Sequence, residues 1–207
     1  MKLLRPEVYA NTQLKQSLKI KDIDPDSIHD ARVSLRKYYD VLSSLYPVYE
    51  NSECLFLAKE VISILGKVRD MDICNRKENR DILAKKAIKK IQRISLCYLP
   101  PKIFGSRLLI FNRILRIYSK IDGINDFHEL RKMVRTTRNL IESLGYENKD
   151  IKNLAKKMGD IRDEILKMEC NGWIPPSINL EIYKEEAISI IMKFLKTQNE
   201  FHYYTFE

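Results

Sequence analysis

The sequence predicts an all-α protein: two antiparallel four-helix bundles related by an internal pseudo-two-fold axis. Three observations carry that prediction. Glycine and proline are scarce, 6 and 7 in 207 residues, so the chain has few places to turn and must build long regular elements. Its Leu, Ile, Lys, Arg and Glu content favours helix, and no apolar–polar alternation of strand length appears. The third observation is internal repetition. His29-Asp-Ala-Arg32-Val-Ser-Leu-Arg36 returns as His128-Glu-Leu-Arg131-Lys-Met-Val-Arg135, a spacing of 99 residues from His29 to His128.

A second pair of segments follows in the same order. Leu65-Gly66-Lys67-Val68-Arg69-Asp70 is echoed by Met158-Gly159-Asp160-Ile161-Arg162-Asp163, 93 residues on from Gly66 to Gly159. Two ordered pairs read as a duplicated unit. The chain is therefore expected to be one domain, 1–207, made of repeat one (1–99) and repeat two (100–207).

Each half reads as four helices. An amphipathic run from Glu7 to Ile20 is followed by Asp24-Pro25-Asp26-Ser27, where an acidic cap and a proline at the first turn start the helix that carries His29. Pro47 closes that helix. A third is expected from Ser52 to Cys74 and a fourth from Arg80 to Leu96. Pro100-Pro101 separates the halves. The second half offers helices near Gly105–Lys120, Asn125–Leu144, Lys149–Met168 and Leu180–Thr197, with Gly123, Gly145 and Pro175-Pro176 at the breaks.

With about 100° per residue, His29, Arg32 and Arg36 share a stripe of about 60° on their helix. Ile28, Ala31, Leu35, Tyr38, Leu42 and Leu45 form the adjacent apolar arc, so the basic stripe borders the core. His128, Arg131, Arg135 and Arg138 stack in the same way beside Phe127, Leu130, Val134, Ile141 and Leu144. Arginine presents a planar fork of donors matched to phosphate oxygens, and histidine donates more strongly once protonated. Such stripes suit a linear polyanion. The competing reading is that they satisfy acidic neighbours such as Asp30 and Glu129, which a second copy need not have preserved.

The Gly-x-x-Arg-Asp segments read two ways. A glycine inside a helix costs about 1 kcal/mol and calls for a packing reason. Arg69 and Arg162 either face a ligand or pair with Asp70, Asp72 or Asp163 to tie helices together. Lys37, Lys89, Arg93, Arg113 and Arg116 are further candidates, on faces that are more often simply solvated.

The formal net charge of +9, from 37 Lys and Arg against 28 Asp and Glu, favours a polyanionic partner. Cys54, Cys74, Cys97 and Cys170 are scattered without a Cys-x-x-Cys pair, and are expected to be reduced, mostly buried residues of a cytoplasmic protein. No apolar run reaches membrane-spanning length, and the start lacks the pattern of a signal peptide.

His29-Asp-Ala-Arg-Val-Ser-Leu-Arg-Lys followed by Leu65-Gly-Lys-Val-Arg-Asp-Met-Asp72 resembles the first half of the conserved histidine α-helical domain (CHAD) family. His128-Glu-Leu-Arg-Lys-Met-Val-Arg-Thr-Thr-Arg138 with Met158-Gly-Asp-Ile-Arg-Asp163 resembles its second half. The resemblance spans essentially the whole chain. It implies the paired bundles, a basic groove that binds inorganic polyphosphate, cytoplasmic or polyphosphate-granule location, and no catalysis. By motif position it implies polyphosphate contacts at His29, Arg32, Arg36, His128, Arg131, Arg135 and Arg138. The chain departs from the family pattern at Tyr39, where a basic residue is frequent, at Arg135, where lysine is common, and at Asn139, where an aromatic is common.

Three other functions compete. A helical RNA- or DNA-binding protein would explain the charge, but neither zinc-finger spacing nor an aromatic platform is present. A metal-dependent phosphohydrolase would need ligands that these spacings do not supply, with arginines disfavouring a cation. A basic scaffold for acidic proteins is the third. No metal and no cofactor are expected.

Overall fold

The computed structural model describes the backbone of residues 4–203 and the side chains of residues 4–197. The third histidine, His202, lies outside the described side chains. The described residues form helices and connecting turns, with no strand. Eight α-helices appear in order: α1 (Pro6–Ser17), α2 (Pro25–Leu45), α3 (Ser52–Ile73), α4 (Arg80–Ile91), α5 (Ser106–Ile121), α6 (Phe127–Ser143), α7 (Lys149–Cys170) and α8 (Leu180–Tyr203).

Local chemistry sets most of these boundaries. The Asp24 carboxylate accepts from the Asp26 and Ser27 amides at 3.1 and 2.9 Å, and Pro25 occupies the first turn of α2. Asp126 caps α6 through the Glu129 amide at 2.7 Å, and Asn51 and Asn148 cap α3 and α7 in the same manner. Helix α6 ends at Gly145, whose φ of +88° lets the Gly145 and Tyr146 amides turn back onto the carbonyls of Glu142 and Ile141. A side chain at 145 would also press on Leu4, 3.1 Å from where its Cβ would lie.

The fourth helix departs from the expectation of a continuous element to Leu96. After Ile91 the chain tightens into a 3₁₀ turn over Gln92–Leu96. Tertiary ties override helix propensity there. Cys97 and Leu99 are buried, and the Leu99 backbone exchanges two hydrogen bonds with the Asn11 side chain at 2.8 and 2.9 Å. Leu96, left outside, is exposed.

In each half every helix packs on its successor, α1 through α4 and α5 through α8. The halves meet where α2 packs on α6 and α5, where α1 packs on α5 and α6, and where α3 packs on α7. A single apolar cluster runs through both halves, with members from Leu14 and Leu35 to Val134, Leu154 and Ile191. The apolar arcs read from the sequence form it: Ile28, Leu35, Tyr38, Leu42 and Leu45 have no exposed surface. No helix among the described residues is long and apolar enough to cross a membrane.

The cysteine expectation is corrected. All four are oxidised, as Cys54–Cys97 and Cys74–Cys170, with Cα–Cα separations of 5.6 and 5.7 Å. The paired residues lie 43 and 96 positions apart, so no local spacing announces them. Packing brings them together: α3 runs back along α4, and the ends of α3 and α7 meet. Structural disulfides are typical of oxidising surroundings. The cytoplasmic expectation therefore loses the support that reduced cysteines gave it.

Candidate anion-binding site

The two His-x-x-Arg-x-x-x-Arg helices, α2 and α6, pack against each other, and their basic stripes share that interface. Burial deepens along each stripe. His29 and His128 are exposed, Arg32, Arg36, Arg131 and Arg135 are half-buried, and the next residues in register, Asp40 and Asn139, are 6% and 3% exposed.

The four arginines crowd one another. Burial, then repulsion from Arg135, Arg32 and Arg131, pushes Arg36 far below its ordinary value, to about 8. Burial also leads in lowering Arg32 to about 10, with Arg135, Arg162 and Arg131 adding to it and Asp70 opposing. Arg131 falls to about 10 through burial, Arg135 and Arg162. Arg135 is lowered by burial, against the pull of Asp40. Asp40 and Asp70 offset part of this repulsion, but none of the four arginines makes a salt bridge among the described residues. The Nε atoms of Arg32, Arg131 and Arg135 are buried without a hydrogen-bond partner. Unmade bonds of buried cations are costly.

No protein-family model, no curated protein and no solved structure matched this chain. The reading of the site therefore rests on its own geometry.

At the outer end of the cluster the two Gly-x-x-Arg-Asp segments exchange partners. Arg162 of α7 binds Asp70 of α3 at 2.5 Å, and Arg69 of α3 faces Asp163 of α7 at 3.6 Å. The helix-tying alternative of the sequence reading is the one these arginines adopt. Burial would lower Arg162, but its bonds to Asp70 and Asp163 outweigh it and hold the guanidinium above its ordinary value. Neither motif glycine is required by a close approach. A Cβ at Gly66 would lie 3.4 Å from the Arg32 guanidinium, whereas a Cβ at Gly159 would meet nothing within 4 Å. The two motif glycines are not equivalent.

At the inner end, Asn139 donates to the buried Asp40 carboxylate at 2.7 Å and Thr136 donates at 3.2 Å. Burial raises the Asp40 pKa against the combined pull of Arg135, Asn139, Thr136 and Arg36. Asp40 and Asn139 are separated by the same 99 residues as the histidines, so equivalent positions of the two repeats bond to each other. Asp40 was missed from sequence. Its place in the stripe after Arg36 was the available signal.

The remaining candidates are dispersed. Arg138 pairs with Glu142 at 2.8 Å, Lys37 reaches Glu142 at 2.8 Å, and Tyr9 donates to it at 2.9 Å. Glu142 would be raised by burial, but those cationic partners hold it below the ordinary carboxylate value. Arg138 and Lys37 thus serve an ion-pair network joining α1, α2 and α6. Lys89, Arg93, Arg113 and Arg116 stand exposed on outer faces. His29 is lowered by burial and then by Arg69, and His128 by burial and then by Lys132 and Arg131. Among the described residues no group of three or more His, Cys, Asp or Glu is placed to hold a metal ion.

Proposed function

We propose that this chain binds inorganic polyphosphate, with Arg32 and Arg36 of one repeat and Arg131 and Arg135 of the other as the principal contacts. One observation carries the reading: four half-buried arginines converge without salt bridges, three of them with an unpartnered buried Nε. A protein assembles such a surplus of like charge at a net cost unless a polyanion offsets it. The half-burial of all four arginines favours a thin phosphate chain over a sugar–phosphate backbone carrying bases. Guanidinium forks match phosphoryl oxygens two at a time. His29 and His128 stand at the mouth. The exchanged Arg–Asp pairs and the Asp40–Asn139 bond support a pseudo-two-fold arrangement of two four-helix bundles, the architecture that the resemblance to the CHAD family implies. The protein acts by binding, without hydrolysis.

The test is titration calorimetry with long-chain polyphosphate, at several salt concentrations. Affinity falls steeply with salt, because each neutralised phosphate releases counterions. Arg32→Ala with Arg131→Ala weakens binding at least about tenfold, since each charge-assisted bond contributes roughly 1.5–3 kcal/mol. Lys86→Ala with Lys89→Ala, on the exposed face of α4, is the control for loss of charge alone. Equal loss in the two double variants would mean that the ligand reads net charge and not this site.

A nucleic-acid reading has its own observation. Lys85, Lys86 and Lys89 of α4, with Arg93 just beyond, form an exposed basic face suited to a duplex or single-strand backbone. Competition separates the two. RNA that displaces polyphosphate, and is itself lost with the Lys86/Lys89 pair, would favour this second reading.

A further inference from the structure

The stripe shared by α2 and α6 is closed at one end, and this defines which part of a phosphate chain it accepts. Exposure falls from His29 and His128 through the arginines to Asp40 and Asn139, and the following residues in line, Ser44 and Ser143, are 6% and 0% exposed. The floor is also the wrong charge for an anion to pass. Asp40 is a buried carboxylate between the Arg36 and Arg135 charges, and the next carboxylate, Glu142, is already held by Lys37 and Arg138. From Arg32 to Arg36 the helix rises only about 6 Å, room for a few phosphoryl groups.

Resting on the polyphosphate reading above, we propose that the site is a blind recess that takes the end of a phosphate chain, with Asp40 as its floor. A terminal phosphoryl group differs from an interior one in two ways that these residues can sense. It has three unshared oxygens where an interior group has two, and it carries up to a second negative charge near neutral pH. The guanidinium groups of Arg32, Arg36, Arg131 and Arg135, half-buried and close enough to repel one another, come from both helices and suit such a group. An interior segment would have to enter as a hairpin, with both arms crossing the exchanged pairs Arg162–Asp70 and Arg69–Asp163.

The floor needs one carboxylate and no more. Two aspartates at 40 and 139 would face each other as buried like charges. Asp40 with Asn139 gives a hydrogen bond across the two helices and a single carboxyl group.

The experiment titrates the unaltered chain with tripolyphosphate, with cyclic hexametaphosphate, and with a long chain whose ends are either free or esterified. The ring carries more charge than tripolyphosphate but has no end. Tripolyphosphate should bind about tenfold or more tighter than the ring, and esterifying the ends of the long chain should weaken it by about as much. A ring that binds as tightly as tripolyphosphate, with free and capped chains indistinguishable, would show an open channel and overturn the inference while leaving polyphosphate binding intact. Binding of none of these probes removes the polyphosphate reading, and this inference with it. Asp40→Asn, nearly isosteric, should tighten tripolyphosphate severalfold. Weaker binding by a variant with unchanged helicity and thermal transition would show that Asp40 is not the floor.

Discussion

Arg36→Met should make the free protein more stable while removing much of its polyanion affinity. Arg36 falls from its ordinary value to about 8, mainly through burial and then through Arg135, Arg32 and Arg131. Each factor of ten in proton affinity corresponds to ~1.4 kcal/mol, so holding this guanidinium charged costs at most about 6 kcal/mol. Water and counterions at the half-open mouth, and the nearby Asp40 carboxylate, reduce that figure. Methionine keeps the apolar stem and removes the charge, so a net gain of about 1–3 kcal/mol is expected, or roughly 3–10 °C in Tm for a chain of this size.

The pH dependence has a definite sign. Arg36 is a cation whose folded value is depressed to about 8, so above that pH the folded state binds fewer protons than the unfolded chain. The repulsive cost is fully present below about pH 8 and is relieved as pH rises above it. Thermal unfolding at pH 7 in low salt, with and without polyphosphate, is the assay. The variant should melt higher than the parent without ligand and lose most of the ligand-induced rise, which for a tight ligand at a hundredfold excess over Kd is about 2.7 kcal/mol. An Arg36→Met protein that melts several degrees lower would refute the reasoning, because the arginine would then be a satisfied structural cation.

Other consequences follow from the same geometry. Polyphosphate affinity should rise as pH falls from 7.5 toward 5.5, since His29 and His128 sit below their ordinary value when free and are raised beside bound phosphate; calorimetry on a His29→Ala, His128→Ala double variant should lose that pH dependence. In the ligand-free protein the same depressed histidines lower stability as pH falls through 6.5. Gly159→Ala should stabilise the chain by about 0.5–1 kcal/mol and leave binding unchanged, whereas Gly66→Ala should gain less and weaken binding, its methyl lying against Arg32; chemical denaturation with parallel titrations checks both. Cys74→Ser with Cys170→Ser removes the bridge between α3 and α7, and should lower stability by about 2–4 kcal/mol in denaturant melts.

Most helix boundaries were legible because they are local. Asp24-Pro25, Asn51, Asp126 and Asn148 are caps, and the apolar arcs of α2 and α6 have the helical period. The basic stripes were legible for the same reason, and their half-burial follows from bordering those arcs. What the sequence left open was where separate helices meet. Arg69 and Arg162 were equally compatible with ligand and with tying roles until α3 and α7 were placed together. Arg138 fell on the correct stripe of its helix, but Glu142 one turn on and Lys37 from the other repeat engage it. The disulfides depend wholly on tertiary placement, and a cytosolic reading of scattered cysteines had nothing to correct it.

The repeat itself explains why the most informative residue was overlooked. Matching the halves rewards identity, so His, Arg and Arg stood out, while Asp40 and Asn139 differ and seemed to lie beyond the motif. Yet Asp40 and Asn139, which hold the same place in the two stripes, bond to each other, and where such buried positions meet identity is what physics penalises. Arginines can face arginines where solvent and a ligand reach them. Fully buried, a carboxylate cannot face a carboxylate without one of them taking a proton. Divergence at position 40 of one repeat and 139 of the other is therefore what a duplicated chain needs where its halves touch in the interior. The depth at which the two stripes stop matching marks the bottom of the site.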